Sequence, residues 1–263
     1  MPTTILTRRL LTALAVAVVV AAACVLLARW QWSRFEDKDA RARAVEANYR
    51  APAVPLGDVL PTPTTELRED QVWTKVGVSG RYAGPVLLVR NRTLEGALGL
   101  EVLVPLQVDA GILLVDRGWV PNAADAATLP TVPPTPSGAV AVTGWLKPSE
   151  EGDGTVLPAG QLKTVDLAQA RGKVDGPLLA AYLVLATETG PDGSTPPRPA
   201  PLAAPSTDRG PHVAYAIQWS LTALLGFAFV VLVYRSDRLA GADPRPGRPP
   251  KPTKVRIWDE EDG

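Results

Sequence analysis

Two long apolar runs dominate the pattern of the chain. Leu10 to Ala28, LLTALAVAVVVAAACVLLA, is a 19-residue stretch without charge. Val213 to Tyr234 is a 22-residue uncharged stretch that carries Gln218, Ser220 and Thr222. Neither contains proline. At 1.5 Å per residue the second run reaches ~33 Å, enough for a hydrocarbon core of about 30 Å. The pattern predicts membrane helices over 10–28 and 213–234, short ends over 1–9 and 235–263, and a large intervening domain over 29–209.

Inside that domain the period changes. Phe35, Ala42, Val45 and Tyr49 recur every three to four residues or multiples of that, so 35–50 reads as a helix with one thin apolar face. Pro52, Pro55, Pro61 and Pro63 end it. From about residue 71 the runs VWTKVGVSGRYA, PVLLVRNR, LEVLVPLQV, GILLVDRGWV, AVAVTGWLK and AYLVLATET are short and rich in Val and Leu, with Gly, Asp and Pro between many of them. Asp109 to Gly111 reads as a hairpin turn, and 166–174 as a short helix. Six such strands predict a small antiparallel sheet or partly closed barrel over about 71–189. The fold class is therefore a membrane protein, two transmembrane helices flanking a mainly-β (α+β) domain. Pro-rich segments at 130–136 and 190–211 read as connections, the second as a link back to the membrane.

Charge sets the orientation. Lys plus Arg and Asp plus Glu each number 27, so no basic excess points to a nucleic-acid partner. Basic residues nevertheless cluster at the ends: Arg8 and Arg9 precede the first run, and seven lie between Arg235 and Arg256 against Asp237 and Asp243. The positive-inside rule then puts both termini in the cytoplasm and the central domain outside a plasma membrane. Arg29, Arg34, Lys38, Arg41 and Arg43 on the domain side of the first run pull the other way. The tail (PRPGRPPKPTK, then DEEDG) has a composition that favours disorder.

The chain has one Cys and one His, which leaves no disulfide framework, no cysteine zinc site and no ordinary His-dependent triad. GxGxxG, P-loop and GxSxG motifs are missing too, so an enzyme is not expected. Cys24 reads as a small buried apolar residue within an uncleaved span. The rival reading is a lipid-modified cysteine after a cleaved signal, which would make an envelope lipoprotein or sensor.

His212 stands at the outer mouth of the second run, with Tyr215 and Trp219 at i+3 and i+7. A neutral imidazole beside aromatic rings can ligate haem iron; an interfacial His, Tyr and Trp can equally serve as an ordinary membrane belt. Trp30, Gln31, Trp32 and Arg34 form the matching edge of the first run, where Gln31 and Gln218 are placed to bond across a helix pair. Arg117, Gly118 and Trp119 end a strand; Gly118 permits a bulge, and the bland reading of the motif is structural.

Three segments share one resemblance. LARWQWSRFEDK over 27–38 is similar to an L-G-x-W-Q-x-x-R-x-x-x-K element, LVDRGWVP over 114–121 to a V-N-R-G-W-V-P strand end, and HVAYAIQW over 212–219 to H-x-x-Y-A-x-Q-W. In this order, within a span–domain–span layout, they resemble the Surfeit locus protein family of cytochrome c oxidase assembly factors, in an actinobacterial-type form. The resemblance covers roughly residues 10–235. It implies a factor for an aa3-type oxidase that assists haem a insertion into the catalytic subunit. His212 would then be the iron ligand, and Tyr215, Trp219, Trp30 and Gln31 the pocket between the spans. Arg34 and Lys38 would meet the haem propionates. The implied partners are the catalytic subunit and haem a synthase. The apolar runs add membrane lipid, and because one His offers only one axial ligand, a second could come from another copy of the chain. Ala28, Asp116 and Gly210-Pro211 depart from the family's Gly, Asn and Asn-rich lead-in. The alternative function is a scaffold that holds oxidase subunits without touching haem, with Arg117 and Trp119 as its partner surface.

Overall fold

A computed structural model describes residues 2–125 and 128–242. Two apolar helices flank a mainly-β domain. The first helix, α1, runs Pro2–Arg50, so the span predicted over 10–28 and the helix predicted over 35–50 form one element. The reason is local. No proline or glycine interrupts 11–50, and the Arg, Glu and Ala residues there are good helix formers. The last helix, here α4, runs His212–Ala242 and carries the helical structure beyond Tyr234 into what composition alone assigned to the tail. The rest of the predicted tail, from 243 on, lies outside the described residues.

The chain divides into two compact units: residues up to 36 together with 210 onward, and residues 37–209. In the first, α1 and α4 are both long and apolar enough to cross a membrane, and most of their large apolar side chains are exposed, as lipid-facing side chains would be.

The second unit is built on an eight-stranded mixed sheet. Its strands are β1 (Val54–Pro55), β2 (Lys75–Tyr82), β3 (Leu87–Leu94), β4 (Ala97–Val108), β5 (Gly111–Pro121), β6 (Ala139–Pro148), β7 (Gln161–Leu162) and β8 (Leu178–Thr189). The order is β1-β2-β6-β8-β5-β4-β3-β7, and β2 also pairs with β4. Strands β2, β6, β8, β5 and β4 therefore form a closed ring. The closing pair is short, Arg81↔Gln107 and Tyr82↔Leu106. The ring is not wholly antiparallel, because β5 and β8 run parallel.

All five ring strands contribute to one core: Val76, Leu106, Leu113, Val142 and Leu183 are among its members, and Leu56, Val59 and Leu60, from the turn of helix α2 (Leu56–Val59) and its C-cap, pack with them. The alternate residues Ile112, Leu114, Leu178, Tyr182 and Val184 join a second cluster with Leu87, Val89, Leu162 and Leu167. Both faces of β5 and β8 are thus covered, which is why GILLVDRGWV and LLAAYLVL read as continuous apolar runs rather than alternating ones. A short helix, α3 (Leu167–Arg171), is capped by Asp166, whose side chain accepts from the Ala168 and Gln169 amides.

The final turns of α1 belong to this unit. Tyr49 stacks on Trp145 with centroids 4.3 Å apart, and Asn48 donates to the carbonyls of Asp70 and Val72 at 2.7 and 3.0 Å. Asp39 is buried and takes ion pairs from Arg43 and Arg209, both at 2.6 Å, which joins the two chain ends of the unit.

Candidate functional site

In the helical unit the buried stripe of α1 steps through Ala17, Ala21, Cys24, Ala28 and Gln31, alternating four and three residues. The stripe of α4 does the same through His212, Ala216, Trp219, Ala223 and Gly226. A 3.5-residue repeat keeps one seam facing a partner helix, and small side chains let the backbones approach. Ala21, Cys24 and Ala223 are packed together, with Trp219 against them. Cys24 is a buried member of this seam in mid-helix.

One heptad beyond Cys24 and one heptad before Trp219, the seam turns polar. His212 Nδ1 lies 2.8 Å from Gln31 Oε1. An amide oxygen only accepts, so the proton of this bond belongs to Nδ1. In the neutral ring that leaves Nε2 with its lone pair. This Nε2 is buried and has no hydrogen-bond partner among the described residues. A buried imidazole nitrogen with a free lone pair is suited to metal ligation, and it is one of the donors that haem iron accepts.

The other expected pocket residues divide. Trp219 is half-buried on the seam, whereas Tyr215 and Trp30 are exposed. On α4 the contact stripe passes through Ala216 rather than Tyr215, so the i+3 position falls on the outer flank. Gln218 is exposed as well, and the bond expected between Gln31 and Gln218 is replaced by the Gln31–His212 bond. Arg34 lies over the Trp30 ring at 5.5 Å. Lys38 is exposed and belongs to the other unit.

Arg117 and Trp119 require a correction. Expected as a partner surface, they are 1% and 8% exposed. Alternation along β5 puts Arg117 on the inward face of Leu113 and Val115, and the bulge at Arg117-Gly118, where β5 shifts register against β4, comes only after it. Arg117 Nη2 pairs with Glu188 Oε1 at 2.6 Å and donates to Pro197 O at 3.0 Å. Nη1 donates to the carbonyls of Pro133 and Pro134, and Nε to Glu188 Oε2. Tyr82 donates its hydroxyl to the same Glu188 at 2.8 Å; burial, then the Glu188 charge, push that phenol far above its ordinary range. Gly118 has φ +131, and a Cβ there would collide with Ala200 O, the residue that bridges to Trp119. Trp119 donates to Arg92 O at 3.0 Å. The motif is a structural staple that holds both Pro-rich segments on the barrel.

A second polar group in the same domain surrounds Asp116. Its Oδ1 accepts from the Gly118 amide at 3.1 Å, while Oδ2 is buried without a partner among the described residues. Burial, reinforced by the nearby Glu101 charge, raises this carboxyl well above the usual range. Glu101 lies 3.1 Å from Arg92, which also pairs with Glu150. Burial works against the Glu150 charge, but the Val165 amide and the Arg92 guanidinium outweigh it and hold that carboxyl low. Glu188, Tyr82, Glu101 and Glu150 carry no sequence signal of these roles, since their partners lie 32 to 106 residues away in most cases.

A family model described as the SURF1 family matches residues 18–224, a stretch that holds Gln31, His212 and the whole barrel. An uncharacterized SURF1-like protein of Mycobacterium bovis is 31% identical over 259 residues, which covers 92% of this chain and 91% of that protein. Uncharacterized SURF1-like proteins of two Mycobacterium tuberculosis strains show the same identity and coverage. With that match spread over both apolar helices and the domain between them, the chain belongs to the SURF1 family.

Proposed function

We propose that this SURF1-family member assists the insertion of haem a into the catalytic subunit of an aa3-type cytochrome c oxidase, holding the haem in passing at His212. The family is known for cytochrome c oxidase assembly, and it is an assembly-factor family rather than an enzyme family. The observation that carries the finer reading is the buried Nε2 of His212 at the polar end of the helix seam, which has no partner among the described residues.

Each residue contributes a distinct part. His212 offers the Nε2 lone pair, and Gln31 holds the opposite nitrogen. Trp219 supplies an aromatic wall one heptad along the seam. Arg34 is exposed near the end of the apolar stretch of α1, a position from which a guanidinium can pair a propionate. The haem supplies an iron Lewis acid that an imidazole lone pair can fill. Because Nε2 is covered, ligation requires neighbouring side chains to turn aside, which suits a temporary holder better than a permanent haem protein.

In this reading both termini are cytoplasmic, the barrel lies outside a plasma membrane, and the partners are the oxidase catalytic subunit and haem a synthase. The test is an absorption spectrum of detergent-purified full-length protein made with haem a synthesis intact, with and without dithionite. A reduced haem a band that disappears in His212→Ala is the expected result. Absence of haem from well-folded wild type overturns the reading in favour of a scaffold that never touches haem.

A further inference from the structure

We infer that Gln31 is the positioning residue of the His212 site: its amide oxygen takes the Nδ1 proton and so presents Nε2 as a neutral lone-pair donor. The role of that donor toward iron rests on the haem-handling reading above; the tautomer itself does not.

A neutral imidazole has two tautomers, and the one that ligates through Nε2 must carry its proton on Nδ1. Without an acceptor at Nδ1, the two forms compete and the ring is free to rotate. Here the acceptor is in place at 2.8 Å, and Nε2 faces no protein donor among the described residues. The distance is fixed by the seam. Gln31 and His212 are each one heptad from a packed member of it, Cys24 on α1 and Trp219 on α4. The small side chains between those positions hold the helices close, so the bond does not depend on a flexible loop.

The choice of an amide matters. A carboxylate at this position would also accept the Nδ1 proton, but it would add charge and make the ligating nitrogen more basic. Glutamine orients the ring without that increase. It yields a directed ligand of ordinary strength, which suits a site that gives up what it holds.

The single histidine makes the test direct, because ¹⁵N-histidine labelling of the full-length chain in detergent produces one imidazole. In wild type the ¹⁵N shifts should report protonated Nδ1 and unprotonated Nε2 at a pH where the ring is neutral. In Gln31→Leu that preference should be lost. Haemin titrated into the same samples should bind about 10- to 100-fold more weakly to Gln31→Leu, the usual loss when a ligating histidine loses its outer partner. Gln31→Glu should restore both the tautomer and the binding, and shift the midpoint potential of bound haemin downward by stabilising the ferric state. A wild-type ring protonated on Nε2 overturns the inference whatever haemin does, and so does a Gln31→Leu protein with unchanged tautomer. Should the leucine variant not fold, the wild-type tautomer and Gln31→Glu still decide. Correct tautomers with no haemin binding in any variant would uphold the positioning role and sink the haem reading instead.

Discussion

Asp116 has one carboxyl oxygen on the Gly118 amide and the other buried without a partner among the described residues, with Glu101 as a charged neighbour. Its folded pKa lies above the unfolded value, taken as 3.8, so the folded chain holds the extra proton between the two. Stability from this group is therefore fully present below about pH 4 and is lost as pH rises through the raised folded value. Asp116→Asn should remove that slope. It should stabilise the domain at pH 8 and change little at pH 4. Thermal melts of both proteins across that range would show it; parallel curves would refute it. The Asp–Arg–Gly–Trp motif was visible in the sequence as a strand end with a permitted bulge. The buried ion pair of Arg117 was not, because Glu188 lies 71 residues away and comes after a register shift in β8 that period-2 patterning cannot reveal.

The helix pair shows the same limits one level up. Both apolar stretches could be read from length and charge, and Gly-free, Pro-free sequence between 28 and 50 explains why the first continues as one helix. The contact stripe was harder to see. On an all-apolar helix every face satisfies the hydrophobic pattern, so only the size of the side chains marks the seam: Ala17, Ala21, Ala216 and Ala223 are buried while Leu26, Leu224 and Leu225 are exposed. That is also why Tyr215, rather than Ala216, looked like the residue sharing a face with His212. The seam predicts a remote effect. Ala223→Leu places a branched side chain against Ala21 and Cys24 and should separate the helices. The Nδ1 preference of the His212 ring should then weaken although neither bonding residue has changed. An unaltered ¹⁵N spectrum in that variant would mean that the seam does not set the His212–Gln31 distance.

On the scale of the molecule, the buried Arg117–Glu188 pair links β5, β8 and the two Pro-rich connections. What composition marked as connections over 130–136 and 190–211 is in fact laid along the barrel in part, with Arg198 donating to Ala186 O at 2.7 Å and Ala200 bridging Trp119 in both directions. Glu188→Gln keeps the shape but leaves a buried guanidinium uncompensated, at a cost of about 3–5 kcal/mol. Hydrogen exchange at the Trp119 and Ala200 amides should accelerate together with the loss of melting temperature. Exchange confined to one of the two would separate the linker from the staple.

The ring order has a consequence for biosynthesis. Strand β8 lies between β6 and β5, although it is the last of the five to leave the ribosome. Until residue 189 has emerged, β5 and β6 each present an unpaired edge, the arrangement most prone to wrong association. By then the first apolar helix has long been available to the membrane, and the second follows only 23 residues after β8 ends. Barrel closure and completion of the second apolar helix therefore fall in the same short interval of translation, so the nascent domain has its greatest need of protection just before that helix is made.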